Sequence, residues 1–246
     1  MSRLTATALL CLVVPLGACK GCKTEQVQTI TLPEAADKAI FATVEQLGPH
    51  RCLASVVRTD FKDGVERASH EETVDVAFRS WDRFRVQRLM DGRNVSEIVV
   101  VRGKAWMRQA EGPWDERDDA ETSRVQLQNT WDIWDEALEP FLDRVQLTEE
   151  GKDLLEGRPT QRYAVGLTPL LPDQKLGEGL QPSSLLGTVW IDEAPAVRLM
   201  AQVEGTLTDG SRSRTVRLKL ARSDFGVDLG IRAPDRADAR RAKPGP

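Results

Sequence analysis

The run TVDVAFRSWDRFRVQRLMDGRNVSEIVVVRGKAWMRQ, Thr73 to Gln109, decides the fold. Its period is two. Val74, Val76 and Phe78 fall on one side of an extended segment. Between Asp82 and Met90, Phe84 and Val86 take one side and Arg85 and Gln87 the other. Asp91-Gly92 is a two-residue hairpin turn, and Arg102-Gly103 turns the chain again. Val95–Val101 is apolar and β-branched, and Lys104–Gln109 returns beside it. Consecutive strands joined by turns this short make an up-and-down antiparallel meander.

The pattern extends in both directions. Upstream, Leu53–Phe61 alternates and Asp63-Gly64 marks another hairpin. Before it, Thr31-Leu32-Pro33-Glu34 reads as a capping box opening a helix with an apolar face through Ala35, Ala36, Ala39, Ile40, Val44 and Leu47, stopped by Gly48-Pro49. Downstream, Glu111-Gly112-Pro113 closes the meander. In Ser123–Val145 the spacing changes to three and four, with Val125, Trp131, Trp134, Leu138, Phe141, Leu142 and Val145 on one face and Pro140 as a kink or break. One or two helices are expected there. Strands resume over Gln146–Leu155, Gln161–Leu167, Leu186–Asp192, Val197–Leu207, Arg212–Ala221 and Val227–Arg232. Residues 168–184 are a long, Pro-rich loop, and 235–246 a charged tail expected to fray.

The amino terminus has its own logic. Arg3 sits in a short head, Leu9–Leu16 is almost wholly apolar, and small residues lead to Cys19. That is the build of a secretory signal, too short in its apolar part to span a bilayer. Leu16-Gly17-Ala18-Cys19 resembles the lipobox of bacterial lipoproteins. The resemblance implies cleavage before Cys19 and acylation of that residue. The expected organisation is therefore a signal peptide at 1–18, a tether at 19–30, one domain at 31–234 and a flexible tail at 235–246. Of the remaining cysteines in a disulfide-permissive compartment, Cys22 and Cys52 are left. A helix of about 24 Å lies between them, and the tether can stretch to about 30 Å. A Cys22–Cys52 bridge is expected on that count, with two separate thiols as the alternative.

The composition excludes several functions. A net charge of −4, with interspersed signs, offers no nucleic-acid surface. His50 and His70 are the only histidines, and neither has a second ligand at metal spacing. No nucleophile elbow is present, and Asp118-Asp119 lies in a charged run typical of a solvated turn. No catalytic residue, metal or cofactor is expected.

The order of elements resembles the family of the periplasmic lipoprotein carrier and the mycobacterial lipid-binding lipoproteins, the LolA/LppX-like proteins. The resemblance is carried by Leu186-Gly187-Thr188-Val189-Trp190-Ile191-Asp192 with its return strand Val197-Arg198-Leu199. Val216–Leu220 leading through Asp224-Phe225-Gly226-Val227 to Ile231-Arg232-Ala233-Pro234 adds to it, as does the hairpin Ile98–Trp106. It covers roughly residues 31–234. It implies an α+β fold, a strongly curved antiparallel half-barrel of about ten strands wrapped around helices. It also implies a membrane-anchored envelope lipoprotein, a carrier or sensor that takes lipid or an acylated partner in an apolar cleft. The inward residues expected to line such a cleft are Val57, Phe61, Val76, Phe78, Phe84, Val86, Val189, Ile191, Leu199, Leu218 and Leu220, faced by Trp131, Trp134 and Phe141.

The same side chains would equally form a filled core, and that alternative stays open. A ligand-free structural lipoprotein of an envelope complex is the second reading, and a polysaccharide binder using surface tryptophans the third. Lys20, rather than aspartate, follows Cys19. By enterobacterial sorting logic this points to the outer membrane, facing the periplasm. The expected partners are the membrane and a lipid or lipoprotein ligand, with the protein monomeric.

Overall fold

The computed structural model describes residues 43–117, 133–169, 179–235 and 239–241. A 3-10 turn, Val44–Leu47, precedes six strands: β1 (His50–Lys62), β2 (Val65–Ser80), β3 (Arg83–Met90), β4 (Arg93–Val101), β5 (Lys104–Gln109) and β6 (Trp114–Arg117). A short helix α1 (Ile133–Leu138) runs into a 3-10 segment, Glu139–Arg144. Five more strands follow, β7 (Val145–Leu155), β8 (Arg158–Leu167), β9 (Gln181–Asp192), β10 (Arg198–Thr208) and β11 (Arg212–Ser223), and finally β12 (Ala239–Arg241).

All twelve strands belong to one open, curved sheet in the order β12-β6-β5-β4-β3-β2-β1-β11-β10-β9-β8-β7. Two meanders, β1–β6 and β7–β11, are thus joined where β1 pairs antiparallel with β11, from Arg51 opposite Ser223 to Lys62 opposite Arg212. Bulges interrupt the ladders at Asp60/Phe61, Phe78/Ser80, Arg88/Leu89 and Glu149/Gly151. An extra residue on one strand bends it and increases its twist. The turns are those the sequence predicts. Asp91-Gly92 and Asp63-Gly64 hold φ of 51° and 74°, and of 52° and 75°, as a type I′ hairpin requires at both central positions.

The sheet differs from the expectation in four places, the first being that β9 begins at Gln181, inside the segment read as a loop. Trp114–Arg117 forms an additional strand, too short to alternate visibly. Val227–Arg232 is not a strand. β11 already has β1 on one side and β10 on the other, so no edge is free for a return. The chain instead crosses the outer face as an irregular strap, and Leu229 and Ile231 settle on Ala77, Val99, Trp106 and Trp114. Within the segment expected to fray, Ala239–Arg241 pairs in parallel with Trp114–Glu116 and covers the β6 edge. Of the helices expected over Ser123–Val145, residues 123–132 lie outside those described; in the described part Pro140 stands in the first turn of the 3-10 segment, where the α-helix gives way. Of the helix expected over 31–47, only its last turn lies within the described residues; it is 3-10, with Val44 and Leu47 buried.

Candidate functional site: an apolar inner face with charged ends

Strand periodicity builds the site. On β2 the even-numbered Val74, Val76 and Phe78 point inward, joined by Phe84 and Val86 from β3. Val189 and Ile191 of β9, Leu199, Ala201 and Val203 of β10, and Val216, Leu218 and Leu220 of β11 extend the same surface across the junction. Against it lie Ile133, Trp134, Ala137 and Leu138 of α1, with Phe141 just beyond. Trp134, Phe78, Phe84 and Phe141 are among the largest fully buried side chains. One apolar cluster therefore runs from β5 through β1 to β8 and holds the helical segment to the sheet.

Of the expected cleft residues, Val76, Phe78, Phe84, Val86, Trp134, Phe141, Val189, Ile191, Leu199, Leu218 and Leu220 come together here. Val57 and Phe61 do not. They are half-buried on the opposite face of β1, whose inward residues are Cys52, Ala54 and Val56. The odd positions of β1 carry the bulkier apolar side chains, but α1 packs against β1 and β11, where small Cys52 and Ala54 leave room for it. Trp131, Cys19 and Cys22 lie outside the described residues, whereas Cys52 is buried in the cluster.

Polar groups cap this surface at both ends. Near the start of β1, His50 is fully buried. Its Nδ1 lies 2.8 Å from the Gly48 carbonyl oxygen and its Nε2 lies 3.0 Å from Arg222 Nη1. With Nδ1–H donating and Nε2 accepting from the guanidinium, the ring is neutral. Burial, and then the Arg222 charge, push its pKa down to about 3. Phe78 and Phe225 flank the ring. Arg222 Nε also donates to the Arg198 carbonyl oxygen at 2.9 Å.

At the far end the inward phase of three strands turns charged. Glu72 of β2, 2% exposed, accepts from Arg58 of β1 at 3.3 Å and from Arg88 of β3. Both arginines reach Glu136 on α1, at 3.6 Å and 3.4 Å. Sequence reasoning overlooked this network. The information was present, because Arg58, Glu72 and Arg88 share the phase of Val56, Val74 and Val86.

The outer face of β1–β6 is different in kind. Arg51 holds Asp75 through two hydrogen bonds, at 2.9 Å and 2.6 Å, and Arg108 holds Glu97 at 2.9 Å and 2.5 Å. Arg108 also stacks on Trp114, 4.7 Å from the ring centroid. Between this ladder and the 229–235 strap is a cavity of about 370 Å³. None of the described tryptophans offers an open ring. Trp106, Trp114 and Trp134 are buried, Trp81 packs on the core, and Trp190 is half-buried with its Nε1 donating to Asp153. Among the described residues no three His, Cys, Asp or Glu side chains converge as a metal site would need, and no helix is long and apolar enough to cross a membrane.

No family model and no curated protein matches the chain. Among solved structures it is similar to the Mycobacterium tuberculosis lipoprotein LppX, at 14% identity over 73% of this chain and 89% of that one, with a TM-score of 0.27. It is also similar to a LolA superfamily protein from Nitrosomonas europaea, at 10% identity over 85% and 96%, with a TM-score of 0.24. A third is MucB, at 18% identity over 82% of this chain and 60% of MucB, with a TM-score of 0.31. The LolA/LppX-like proteins that the sequence resembles are thus among the structures it is similar to. The open curved sheet stands on this chain's own strand pairing.

Proposed function

We propose that this chain is a lipid-anchored envelope protein whose inner face receives an acyl chain, either of a lipid or of an acylated partner. One observation carries the reading: a continuous apolar surface lines the concave side of a sheet whose edges, β12 and β7, do not pair with each other among the described residues, and a six-residue helix with a 3-10 extension forms the described part of its cover. Burying an acyl chain on such a surface is worth about 0.8 kcal/mol per CH₂ and demands no polar constellation. A ligand would take the place of Trp134, Leu138 and Phe141 against β9–β11, or share the surface with them.

The anchor belongs to the same proposal. Acylation at Cys19 would hold the body at a membrane, with several chains needed for stable attachment. Intact mass of protein isolated from membranes tests it: loss of residues 1–18 and a fatty modification on Cys19 are expected, and an unmodified Cys19 rejects it. Outer-membrane residence, from Lys20, is part of the proposal and is checked by membrane fractionation.

The lipid site is tested by extracting the purified protein with organic solvent and identifying what is released. Near-stoichiometric acyl lipid is expected, together with a lower Tm after delipidation. Neither lipid nor a Tm change would reject an acyl site and favour the second reading, a ligand-free interaction protein. That second reading has its own support in the close fit of Phe141, whose ring lies where a Cβ on Gly205 would come within 2.5 Å.

A further inference from the structure

Two arginines at one end of the sheet differ from their neighbours. On the outer face of β1–β5, Arg51 is neutralised by Asp75, while Arg85 and Arg108 lie against Glu97, Arg85 at 3.8 Å. Arg79 and Arg83 continue that face to the β2–β3 turn, yet neither has a carboxylate within ion-pair distance among the described residues. Both line one cavity of about 160 Å³. Its other walls are Pro49, Phe78, Leu229 and Ile231, with Gly226 and Val227 of the strap, and one acid, Asp228. Val227 is 51% exposed. Two acids are near. Asp228 lines the cavity but accepts from the Gly230 amide at 3.2 Å, and Asp82 accepts from Ser80 Oγ at 2.5 Å.

Pro49 is the residue before β1, and the Gly226 amide donates to its carbonyl oxygen at 2.8 Å. The cavity therefore adjoins the start of β1, directly after the 3-10 turn Val44–Leu47. A body tethered through Cys19 would be held within reach of the bilayer, where a cavity open at the surface can meet lipid. An amphipathic cavity with two guanidiniums outside any ion pair among the described residues, against the single lining carboxylate of Asp228, and with an exposed valine matches a phospholipid headgroup, phosphate against arginine and glycerol backbone against the apolar wall.

We propose that Arg79 and Arg83 bind the phosphate of an anionic phospholipid in the bilayer that holds the anchor, and so orient the body on that surface. This rests on the anchored reading above, but not on a ligand in the inner face. Basic side chains at an anionic surface each strengthen association roughly fivefold, and salt screens the effect.

The test uses full-length acylated protein reconstituted through its anchor into vesicles of phosphatidylcholine alone, or with phosphatidylglycerol added. Amide hydrogen exchange is followed at residues 78–84 and 226–231. Several-fold slower exchange is expected only with phosphatidylglycerol, lost at high salt and lost in Arg79→Gln/Arg83→Gln. Arg79→Lys/Arg83→Lys should keep part of it. Equal exchange in the two vesicles overturns the proposal even if the double variant fails to fold, and leaves lipid in the inner face untouched. Equal protection by inorganic phosphate over phosphatidylcholine also overturns it, in favour of a soluble-anion site. Protein that does not stay with either vesicle overturns this proposal and the anchored reading together.

Discussion

The guanidinium of Arg198 lies 3.9 Å from the ring centroid of Trp134, so the sheet and α1 are joined by a cation on an aromatic face inside the core. Arg198 is 4% exposed and Trp134 1%. Shielded from water, such a contact is worth about 2 kcal/mol. Trp134→Ala should cost about 3–5 kcal/mol in a urea titration, because it removes both the contact and the largest apolar filler between helix and sheet. Trp134→Phe retains a π face and should cost less than half of that. A double-mutant cycle with Arg198→Met should return a coupling of about 1 kcal/mol or more. A coupling near zero would mean that the helix is held by shape alone.

Glu72 and Glu136 accept from the same two arginines but should differ sharply on mutation. Glu72 is buried at the sheet, while Glu136 is more than half exposed on α1. Glu72→Gln leaves Arg58 and Arg88 without their buried counter-charge. The full penalty for such a loss is about 3–5 kcal/mol. Both arginines are about 30% solvent-exposed (27% and 31%), so roughly 2 kcal/mol is expected. Glu136→Gln removes only the surface end of the network and should cost less than about 1 kcal/mol. Urea midpoints of the two variants compare them directly, and equal midpoints would contradict the burial argument.

Why some of this was legible in the sequence, and some not, follows from locality. A sheet with one buried face must alternate, so Val74, Val76, Phe78, Phe84 and Val86 announce their side before any partner is known. β1 defeats the same logic, because its inward residues are the small ones that admit α1 and its bulkier residues face out. Val227, Leu229 and Ile231 alternate as convincingly as any strand. What denies them a ladder is that β11 has neighbours on both sides, a fact about residues 50–62 and 198–208 rather than about 227–232. Charge pairing has the same character: the phase of Arg58, Glu72 and Arg88 is local, but their convergence with Glu136 depends on where α1 lands.

His50 should make stability fall as the solution is acidified through a window where carboxylates contribute little. Its folded pKa of about 3 lies below the ordinary value of 6.5. Between those values the unfolded chain binds a proton that the folded chain refuses, so unfolding is favoured as pH drops. The contribution is complete above the unfolded value and is lost progressively on the way down to the folded one, by at most about 1.4 kcal/mol per pH unit. The Asp60 carboxyl, held low by its hydrogen bond from Arg214, adds its own loss only below the usual carboxylate range. Denaturation midpoints between about pH 4.5 and 6.5 therefore report on the histidine. His50→Gln, which cannot titrate, should flatten that slope, and an unchanged slope would place the proton uptake elsewhere.

Two glycines test which parts of the wall can yield. A Cβ on Gly187 of β9 would stand 2.3 Å from the Gln202 carbonyl oxygen and 2.7 Å from Val203 Cα. Both are backbone atoms of the paired strand β10, so relief requires the ladder itself to move. A Cβ on Gly205 of β10 would meet the Phe141 ring at 2.5 Å and Leu185 Cδ1 at 3.0 Å, which are side-chain atoms. Each substitution to alanine should destabilise, by about 1–3 kcal/mol for ordinary overpacking and towards the upper end at Gly187. The two should part on rescue. Phe141→Leu frees the space above Gly205 and should recover part of the stability lost in Gly205→Ala. No single side-chain truncation should do the same for Gly187→Ala, where Val203 Cγ2 at 2.9 Å is only the third obstacle. Thermal melts of the single and double variants decide it. If Phe141→Leu fails to help Gly205→Ala, the 3-10 segment is not seated on β10 in the way described, and the inner face is roomier at that point than the packing implies.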